Sequence, residues 1–344
     1  MYTRLCETAT DGERWQEFVH SHAECTAYHQ WQWKQVLESR FGFPSFYLLA
    51  EEGSRVRGIL PLIWQKNVLS RGWICSLPFL SSGGIVAEGK DAKDRLLEEA
   101  ISITRRVGAQ YLELRYCREP NINLPQADDK IRVIVHLDAD ANKMWAALGK
   151  KVRNLVRGAT RCGLTTQIGK SELLNDFYMV FAENMRDLGS PIYPKEFFAE
   201  ILRAFSADTY ICAVRHQGRA IAASFLIGFR DTIEVKWSAS IRKHLKLKPN
   251  MLLWWTVLSF AGRAGYGVVD FGRSKIESGT HQFKLQWGGE TVPLHWTYWF
   301  PNGDALPRND RHSLKYRIPI VVWQRLPVAA TRLLGPRIVK WFPS

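Results

Sequence analysis

The 344-residue sequence predicts a mixed α/β protein built from two copies of one unit. In each half, a helix precedes strands joined by a tight turn, and a second helix ending in glycine leads into a further strand. Residues 47–50 (YLLA) match residues 210–213 (YICA) at an offset of 163. Residues 106–108 (RVG) match residues 263–265 (RAG) at an offset of 157, which aligns Glu113 with Asp270. Such internal repeats determine the architecture of a chain.

The first copy is expected within residues 1–130. Apolar residues at helical spacing predict helices over residues 13–41 and 92–107, with an interruption of the first at residues 25–27 as an alternative. Short apolar runs predict strands over residues 46–50, 56–64, 73–77 and 111–115. A polar segment with two prolines, residues 118–130, links the copies.

The second copy is expected within residues 131–303, and it begins with a strand over residues 132–137. A basic helix over residues 143–161 follows, and further helices are predicted at 172–187, 194–205 and 251–264. Strands are predicted at 210–214, 220–228, 232–238 and 268–271. Residues 304–344 form a basic amphipathic extension, in which Pro319, Pro327 and Pro336 are expected to separate short helices.

The composition predicts a folded protein with an ample core, because 46% of the residues are hydrophobic and 14 are tryptophan. No run of 18 apolar residues and no charged-then-apolar leader occurs, so neither a transmembrane helix nor a signal peptide is predicted. The six cysteines lack a CxxC pair and are expected to be reduced thiols of a cytoplasmic protein. The histidines lack metal-ligand spacing, so no metal site is predicted.

A formal charge of +14 implies an anionic partner, such as phosphates, nucleic acid or an acidic membrane surface. Residues 307–344 contribute eight basic residues and one acid, which is half of that excess. This segment is expected either to contact the anionic inner face of the cytoplasmic membrane or to cap the second domain. Membrane contact is the favoured alternative.

The chemistry is expected between residues 266 and 288. Asp270 interrupts an apolar strand, where a charge is costly unless it is paired. Gly272 breaks that strand and is followed directly by Arg273 and Ser274. Ligands bind beyond the carboxyl ends of strands in open α/β sheets. An ordinary strand followed by a solvated hairpin is the alternative interpretation.

The runs VDFGRS (residues 269–274) and GTHQFKLQWG (residues 279–288) resemble the FemAB family, and in particular the FemAB-like proteins that accompany exosortase (PEP-CTERM) systems. This resemblance implies two tandem GNAT (N-acetyltransferase-like) domains and the transfer of an acyl or aminoacyl group. Lys284 matches the lysine of the family's Phe-Lys pair, which implies a position near the acyl-transfer centre. The ammonium of Lys284 would stabilise a tetrahedral oxyanion.

The roles of the neighbouring residues follow from the same chemistry. Asp270 would orient Lys284 or Arg273, or would help to deprotonate the acceptor amine. Arg273, with Ser274, would hold a phosphate or carboxylate of the substrate. No Ser-His-Asp or Cys-His arrangement stands out in the sequence, so direct transfer without a covalent enzyme intermediate is expected.

Further candidate substrate-binding residues lie elsewhere in the second copy. Lys236 and Trp237 fall on a central strand, Tyr193 falls on a loop, and Asn250 precedes a helix. Arg153 and Arg157 lie on the basic helix, where five cations and no acid in residues 150–161 indicate an anionic ligand. Simple packing or a solvated helix face is the alternative at each position.

The donor is expected to be aminoacyl-tRNA or acyl-CoA, with no tightly bound cofactor. GNAT acetyltransferases hold a pyrophosphate on a glycine-rich loop, but the equivalent residues 245–250 contain no glycine, which favours aminoacyl-tRNA. The acceptor is expected to be an anionic cell-envelope or exopolysaccharide precursor, which can be lipid-linked. The competing class is a non-catalytic basic module that binds tRNA, a nucleotide sugar or membrane.

Overall fold

The computed structural model describes residues 1–67, 70–127, 129–303, 306 and 314–342. The chain divides into two compact units. The first contains residues 1–130, 293–308 and 340–344, and the second contains residues 131–292 and 309–339. The predictions for residues 304, 305 and 307–313, including Arg308 and Arg311, concern residues outside the described ranges.

The first unit contains three helices and most strands of one sheet among its described residues. Their bounds are β1 (Tyr2–Leu5), α1 (Ala9–Ser21), α2 (Gln32–Phe41), β2 (Ser45–Glu52), β3 (Arg55–Asn67), β4 (Ser70–Cys75), β5 (Val86–Ala87), α3 (Lys90–Arg106), β6 (Leu112–Tyr116) and β7 (Gln126–Ala127). A capping box on Thr8 begins α1. The predicted helix over residues 13–41 is therefore two helices, separated by an extended segment and a short 3-10 turn.

The second unit continues the chain with a second sheet and its helices. Their bounds are β8 (Lys130–His136), α4 (Ala141–Ala147), α5 (Lys150–Arg161), β9 (Thr165–Gly169), α6 (Leu174–Asp187), α7 (Lys195–Ala204), β10 (Thr209–His216), β11 (Arg219–Phe229), β12 (Thr232–Ser240), α8 (Pro249–Arg263), β13 (Val268–Lys275), α9 (Gly279–Leu285) and β14 (Glu290–Pro293). The remaining elements are β15 (His295–Trp299), α10 (Leu314–Arg325) and α11 (Val328–Ile338).

Each unit is built around one mixed sheet. The first has the strand order β1-β2-β3-β4-β6-β15-β7, with β5 also paired to β3. The second has the order β14-β8-β13-β12-β11-β10-β9. In each sheet, antiparallel strands precede a parallel pair, β4 with β6 and β12 with β13. Helices α3 and α8 supply the crossovers between the parallel strands, as parallel pairing requires.

The tandem arrangement predicted from the repeat is confirmed. The parallel register places Glu113 beside Cys75 in the first unit and Asp270 beside Glu234 in the second. The two acidic residues that the sequence aligned therefore occupy equivalent positions. The matched tetrapeptides also lie on equivalent strands, β2 and β10.

In the first unit, Glu113 is buried and paired with Arg115. Arg115 lies 2.5 Å from the Glu113 carboxylate, donates to the carbonyls of Leu77 and Leu80, and stacks 3.9 Å from the ring centroid of Trp296. All residues from 76 to 84 are buried. A carboxylate that is paired and covered in this way is available only to its own neighbours.

Several predicted elements differ from the observed ones. Leu148 and Gly149 divide the basic helix into α4 and α5. Strand β15 pairs with β6 in the first sheet, so residues 293–303, predicted in the second copy, return to the first unit. Pro327 separates α10 from α11 as expected, but Pro319 and Pro336 lie inside these helices. Each proline removes one helical hydrogen bond, and packing of both helices on α6 outweighs that loss.

The two C-terminal helices cap the second unit. Gln324 donates to the carbonyl of Asp187, and Arg186 donates to the carbonyl of Leu326. At Gly335 an added Cβ would lie 2.8 Å from the backbone nitrogen of Ile192, so the helix approaches closely. Within the described ranges, no helix combines the length and apolarity needed to cross a bilayer.

Candidate active site

The site is organised by the point at which β12 and β13 stop pairing. Their parallel register runs from Thr232 opposite Val268 to Glu234 opposite Asp270. Two residues later, Gly272 has φ +70°, and a Cβ there would lie 3.0 Å from the carbonyl oxygen of Val235. Glycine adopts this left-handed conformation without the steric cost that other residues incur. The strand was predicted to end at Gly272, but it continues to Lys275 on a new path.

A second irregularity lies on β12. Val235 pairs with Leu226 and Trp237 pairs with Phe225, so Lys236 is the extra residue of a β-bulge. A bulge redirects a side chain relative to the regular alternation of a strand. The Lys236 ammonium lies 3.5 Å from the Glu234 carboxylate, and its side chain is buried. Lys236 therefore pairs with Glu234 inside the second unit instead of extending into solvent.

Asp270 is buried and hydrogen-bonded on both carboxylate oxygens. Its Oδ2 accepts from Arg132 Nη1 at 3.0 Å, and its Oδ1 accepts from the Gly272 amide at 2.7 Å. Burial raises the pKa of Asp270, and the negative charge of Glu234 adds to this rise, while Arg132 opposes it. Within the described part of the chain, Asp270 forms an ion pair with Arg132; its predicted role in orienting Lys284 or Arg273 stays a prediction.

Lys284 reaches the same place from α9. Ser278 caps this helix by accepting from the His281 amide, so this segment forms a helical turn and not the hairpin of the alternative interpretation. Lys284 is 4% exposed, and its ammonium donates to the carbonyls of Gly272 at 2.7 Å and Arg273 at 3.0 Å. Burial lowers the pKa of Lys284 to about 8, although Asp270 and Glu234 act in the opposite direction.

Among the residues that the structure describes, two of the three N–H donors of Lys284 have an acceptor. An ammonium has three donors, and two of them are bound to the carbonyls of a backbone that Gly272 has turned. The group is thus held in a fixed position and is mostly desolvated. A fixed donor in a dry environment stabilises a developing negative charge far more than the same donor does in water.

Arg273 and Ser274 lie on the continuation of β13, beside the carbonyls that bind Lys284. Arg273 is half-buried and its charge lowers the pKa of Lys284. The buried Ser274 hydroxyl and the buried indole N–H of Trp287 have no hydrogen-bond partner among the residues that the structure describes. Asp270, Arg273 and Lys236 all lie close enough to Lys284 to influence its charge, and Ser274 follows Arg273 on β13; the roles of these residues in binding and catalysis stay predictions.

Two charged residues of this cluster were missed by the sequence analysis. Glu234 stands between Ile233 and Val235, which is the same signal of a carboxylate in an apolar strand that identified Asp270. Arg132 follows Ile131 on β8, the strand next to β13. Their contribution depends on which strands are neighbours, and a single strand pattern does not contain that information.

Other predicted residues lie in different surroundings. Trp237 and Tyr193 belong to an aromatic cluster, with ring centroids 6.0 Å apart and with Phe197 and Phe198 beside both. Asn250, in the first turn of α8, accepts a hydrogen bond from the Ser240 hydroxyl. Packing was the alternative interpretation for Trp237 and Tyr193, and their contacts agree with it; a role in substrate binding stays a prediction.

The two arginines of α5 do not join the Lys284 cluster. This helix buries Val152, Val156 and Ala159, and it packs against α8. Arg157 lies with its guanidinium 5.4 Å from the ring centroid of Trp145. No hydrogen bond or ion pair connects Arg153 or Arg157 to Lys284 or Asp270 within the described part of the chain.

Residues 146–285 match the sequence profile of the acetyltransferase (GNAT) domain family. The second unit carries a GNAT acyltransferase domain. The match covers α5 through α9, which includes Asp270 and Lys284. The expectation of an acyltransferase is thereby confirmed at the level of enzyme class, and no curated protein matches the chain by sequence.

Solved structures agree on the tandem GNAT fold. FemX is similar with a TM-score of 0.65 and 13% identity, over 86% of this chain and 97% of FemX. A tandem GNAT protein of the clavulanic acid biosynthesis pathway has a TM-score of 0.55 and 10% identity, covering 89% and 99%. The C-terminal domain of a proposed lysylphosphatidylglycerol synthetase from Agrobacterium fabrum has a TM-score of 0.56 and 11% identity, over 86% of this chain and 92% of that domain. At these identities the likeness concerns the fold.

The turned backbone at Gly272 gives a testable prediction for the GNAT domain. Gly272→Ala forces a side chain into a left-handed conformation and against the Val235 carbonyl. We expect a loss of about 1–3 kcal/mol in the free energy of unfolding, measured by urea denaturation. Gly279→Ala is the matched control, because that glycine begins α9 with open space around its Cβ position. Equal unfolding free energies for the two variants would show that Gly272 imposes no strain.

Proposed function

We propose that the GNAT domain forms an amide bond by direct attack of an acceptor amine on an activated acyl or aminoacyl ester. The observation that supports this reaction is the buried ammonium of Lys284, which the carbonyls of Gly272 and Arg273 hold beside the Asp270–Arg132 ion pair. The tandem GNAT fold and the acetyltransferase profile are consistent with acyl transfer.

In the proposed reaction, the amine nitrogen forms a bond to the carbonyl carbon of the donor. The carbonyl oxygen becomes an oxyanion, to which Lys284 donates its remaining N–H. The amine loses a proton to Asp270, whose pKa burial raises above that of an exposed carboxylate. Collapse of the intermediate breaks the bond from carbon to the leaving oxygen or sulfur, and that leaving group takes the proton from Asp270.

Aminoacyl-tRNA is the proposed donor, and acyl-CoA is the alternative. A phosphate cradle depends on backbone N–H groups at a helix N-terminus. Helix α8 instead begins with Pro249, which has no N–H, and residues 242–250 contain no glycine. The exposed Lys246 and Lys248 on this approach suit a nucleic-acid backbone.

The proposed acceptor is an anionic cell-envelope or exopolysaccharide precursor. The resemblance to FemAB-like proteins of exosortase systems supports this choice. So does the fold shared with a proposed lysylphosphatidylglycerol synthetase, whose name describes an aminoacylated lipid. A lipid-linked acceptor would be met at the cytoplasmic face of the inner membrane. We propose that residues 307–344 contact this surface, since Val322, Leu333 and Leu334 are exposed there although the helices cap the second unit.

The donor assignment is tested by isothermal titration of the full chain at two salt concentrations. Bulk aminoacyl-tRNA, uncharged tRNA, acetyl-CoA and longer acyl-CoAs serve as ligands. We expect charged tRNA to bind more tightly than uncharged tRNA and to weaken steeply with salt. Saturable binding of an acyl-CoA, without a preference for charged over uncharged tRNA, would contradict aminoacyl-tRNA as the donor. Acyl-CoA would then be the donor of the same acyl-transfer reaction.

A variant of Lys284 distinguishes a catalytic role of this residue from a role in binding the donor. We expect Lys284→Met to lower turnover by about 100-fold to 1,000-fold while the Kd for the donor stays within about threefold. Transfer to hydroxylamine, a generic amine acceptor, provides the assay with whichever donor binds. The control is Lys275→Met, since Lys275 is exposed at the end of the same strand. Unchanged turnover in Lys284→Met would remove Lys284 from the catalytic step, and the absence of any turnover in the natural protein would favour a non-catalytic binding module.

The pH dependence of that assay reports the charge state of Lys284. Because burial lowers the pKa of Lys284 to about 8, the ammonium is lost as the pH rises above about 8. We expect the ratio of kcat/KM between the natural protein and Lys284→Arg to fall over this pH range, because an arginine keeps its charge. A ratio that rises with pH would assign Lys284 the role of a base.

Membrane contact is tested by co-sedimentation with vesicles. We expect binding to phosphatidylglycerol-rich vesicles and not to phosphatidylcholine vesicles. Replacing Leu333 and Leu334 together by asparagine should reduce bound protein by about fivefold or more, because both side chains are exposed apolar groups on α11. Met179→Gln is the control, an exposed apolar residue on α6. Equal sedimentation with both lipids would contradict the anionic membrane contact.

A further inference from the structure

A cavity of about 380 Å³ lies in the second unit between α5 and α8. Its lining includes Trp145, Arg157, Thr160, Trp255, Ser259 and Arg263. None of the residues bound to Lys284 or Asp270 belongs to it. The volume lies within the range of small-molecule sites, which is about 300–1,000 Å³.

Two tryptophans supply the aromatic surface of the cavity. The rings of Trp145 on α4 and Trp255 on α8 have centroids 4.7 Å apart at an interplanar angle of 58°. Both side chains are half-buried, so each keeps part of its ring accessible from the cavity. Aromatic faces of this kind stack with planar rings and attract cations, as Arg157 over Trp145 already shows.

Ser259 provides an unsatisfied polar group in the same lining. This side chain is 6% exposed, and its hydroxyl has no hydrogen-bond partner in the part of the chain that the structure describes. One turn earlier, the hydroxyl of Thr256 donates to the carbonyl of Leu252 at 2.8 Å, which is the usual arrangement on a helix. An unpaired buried hydroxyl is costly, and a ligand with a polar ring edge would pair it.

Two cations stand at the opening. Arg157 and Arg263 are exposed, and neither forms an ion pair with a carboxylate among the described residues. A guanidinium binds phosphate or carboxylate through two parallel hydrogen bonds. The cavity therefore combines a stacking surface, an unpaired hydroxyl and a cationic rim.

We propose that this cavity binds a small heteroaromatic anion, namely a flat ring with a polar edge that carries one phosphate or carboxylate. The ring lies against Trp145 and Trp255, its polar edge pairs with the Ser259 hydroxyl, and its anionic group binds Arg157 and Arg263. The site shares no residue with the Lys284 cluster, so the inference is independent of the proposed acyl-transfer reaction.

Isothermal titration of the full chain tests the proposal with AMP and nicotinate as probes. Adenosine and inorganic phosphate are the matched arms, each lacking one half of the AMP chemistry. We expect saturable binding of AMP or nicotinate, and binding at least about tenfold weaker for adenosine and phosphate, because stacking and charge are both needed. Tighter binding of AMP than of nicotinate would identify the anionic group of the ligand as a phosphate. Tighter binding of nicotinate would identify it as a carboxylate.

Variants locate the binding. Ser259→Ala should weaken the probe by about threefold to tenfold, the effect of one neutral hydrogen bond, and Arg157→Gln should weaken it by about tenfold. Thr160→Trp, at an exposed position of α5 on the lining, should block the opening. The control is Arg161→Gln, an exposed arginine on the same helix outside the cavity. Melting temperatures confirm that each variant is folded.

Three results would overturn the proposal. The first is the absence of saturable binding of either probe to the natural protein. The second is phosphate binding as tightly as AMP, which would indicate an ion on surface arginines. The third is unchanged binding in Thr160→Trp, which would place the ring elsewhere.

Discussion

The candidate active site depends on the separation of two parallel strands. While β12 and β13 remain paired, Asp270 and Glu234 are register neighbours in the second sheet. A continuous ladder would direct the carbonyls beyond them to the neighbouring strand. The left-handed backbone of Gly272 redirects β13, and the carbonyls of Gly272 and Arg273 then bind the ammonium of Lys284. The conformation of one glycine thus allows two carbonyls of this strand to accept hydrogen bonds from the ammonium of Lys284.

The equivalent position of the first unit shows a different use of the same fold. Glu113 occupies the place of Asp270, but its partner Arg115 comes from its own strand and is buried with it. The donors of Arg115 bind loop carbonyls of the same unit, and the ring of Trp296 covers the guanidinium. In the second unit, Asp270 pairs with an arginine from the adjacent strand, β8, and that arginine remains partly exposed. The first arrangement is complete without a ligand, whereas the second leaves Lys284 with a donor to satisfy.

Much of the fold was predictable because its signals are local. The two offsets in the sequence aligned Glu113 with Asp270, and the parallel registers place both at equivalent positions. Pairing between distant segments was not predictable in the same way. Strand β15 joins β6 across more than 170 residues of sequence, and nothing in its own pattern names that partner. The helical turn α9 was missed because its start depends on a Ser278 cap within a segment rich in turn residues.

The candidate site shows the same limit. Asp270 and Lys284 were found because each is unusual in its own segment, a carboxylate in a strand and a lysine in a family motif. Arg132 was not assigned, although it is the residue that pairs with Asp270. Its role arises only when β8 is placed beside β13. The bulge at Lys236 is similar, because it is defined by the register with β11 rather than by the residues of β12.

The balance of charge in the cluster favours an anionic reacting group. Two carboxylates, Asp270 and Glu234, face four cationic side chains from β8, β12, β13 and α9. Arg132 and Lys236 are engaged by the carboxylates, and in the proposed reaction Lys284 acts on the ligand. Burial disfavours the charge on Lys284 and lowers its pKa. A developing oxyanion would supply the missing counter-charge, so the ammonium gains most when the transition state forms. In the proposed reaction, the site would therefore be more complementary to an anionic intermediate than to a neutral substrate.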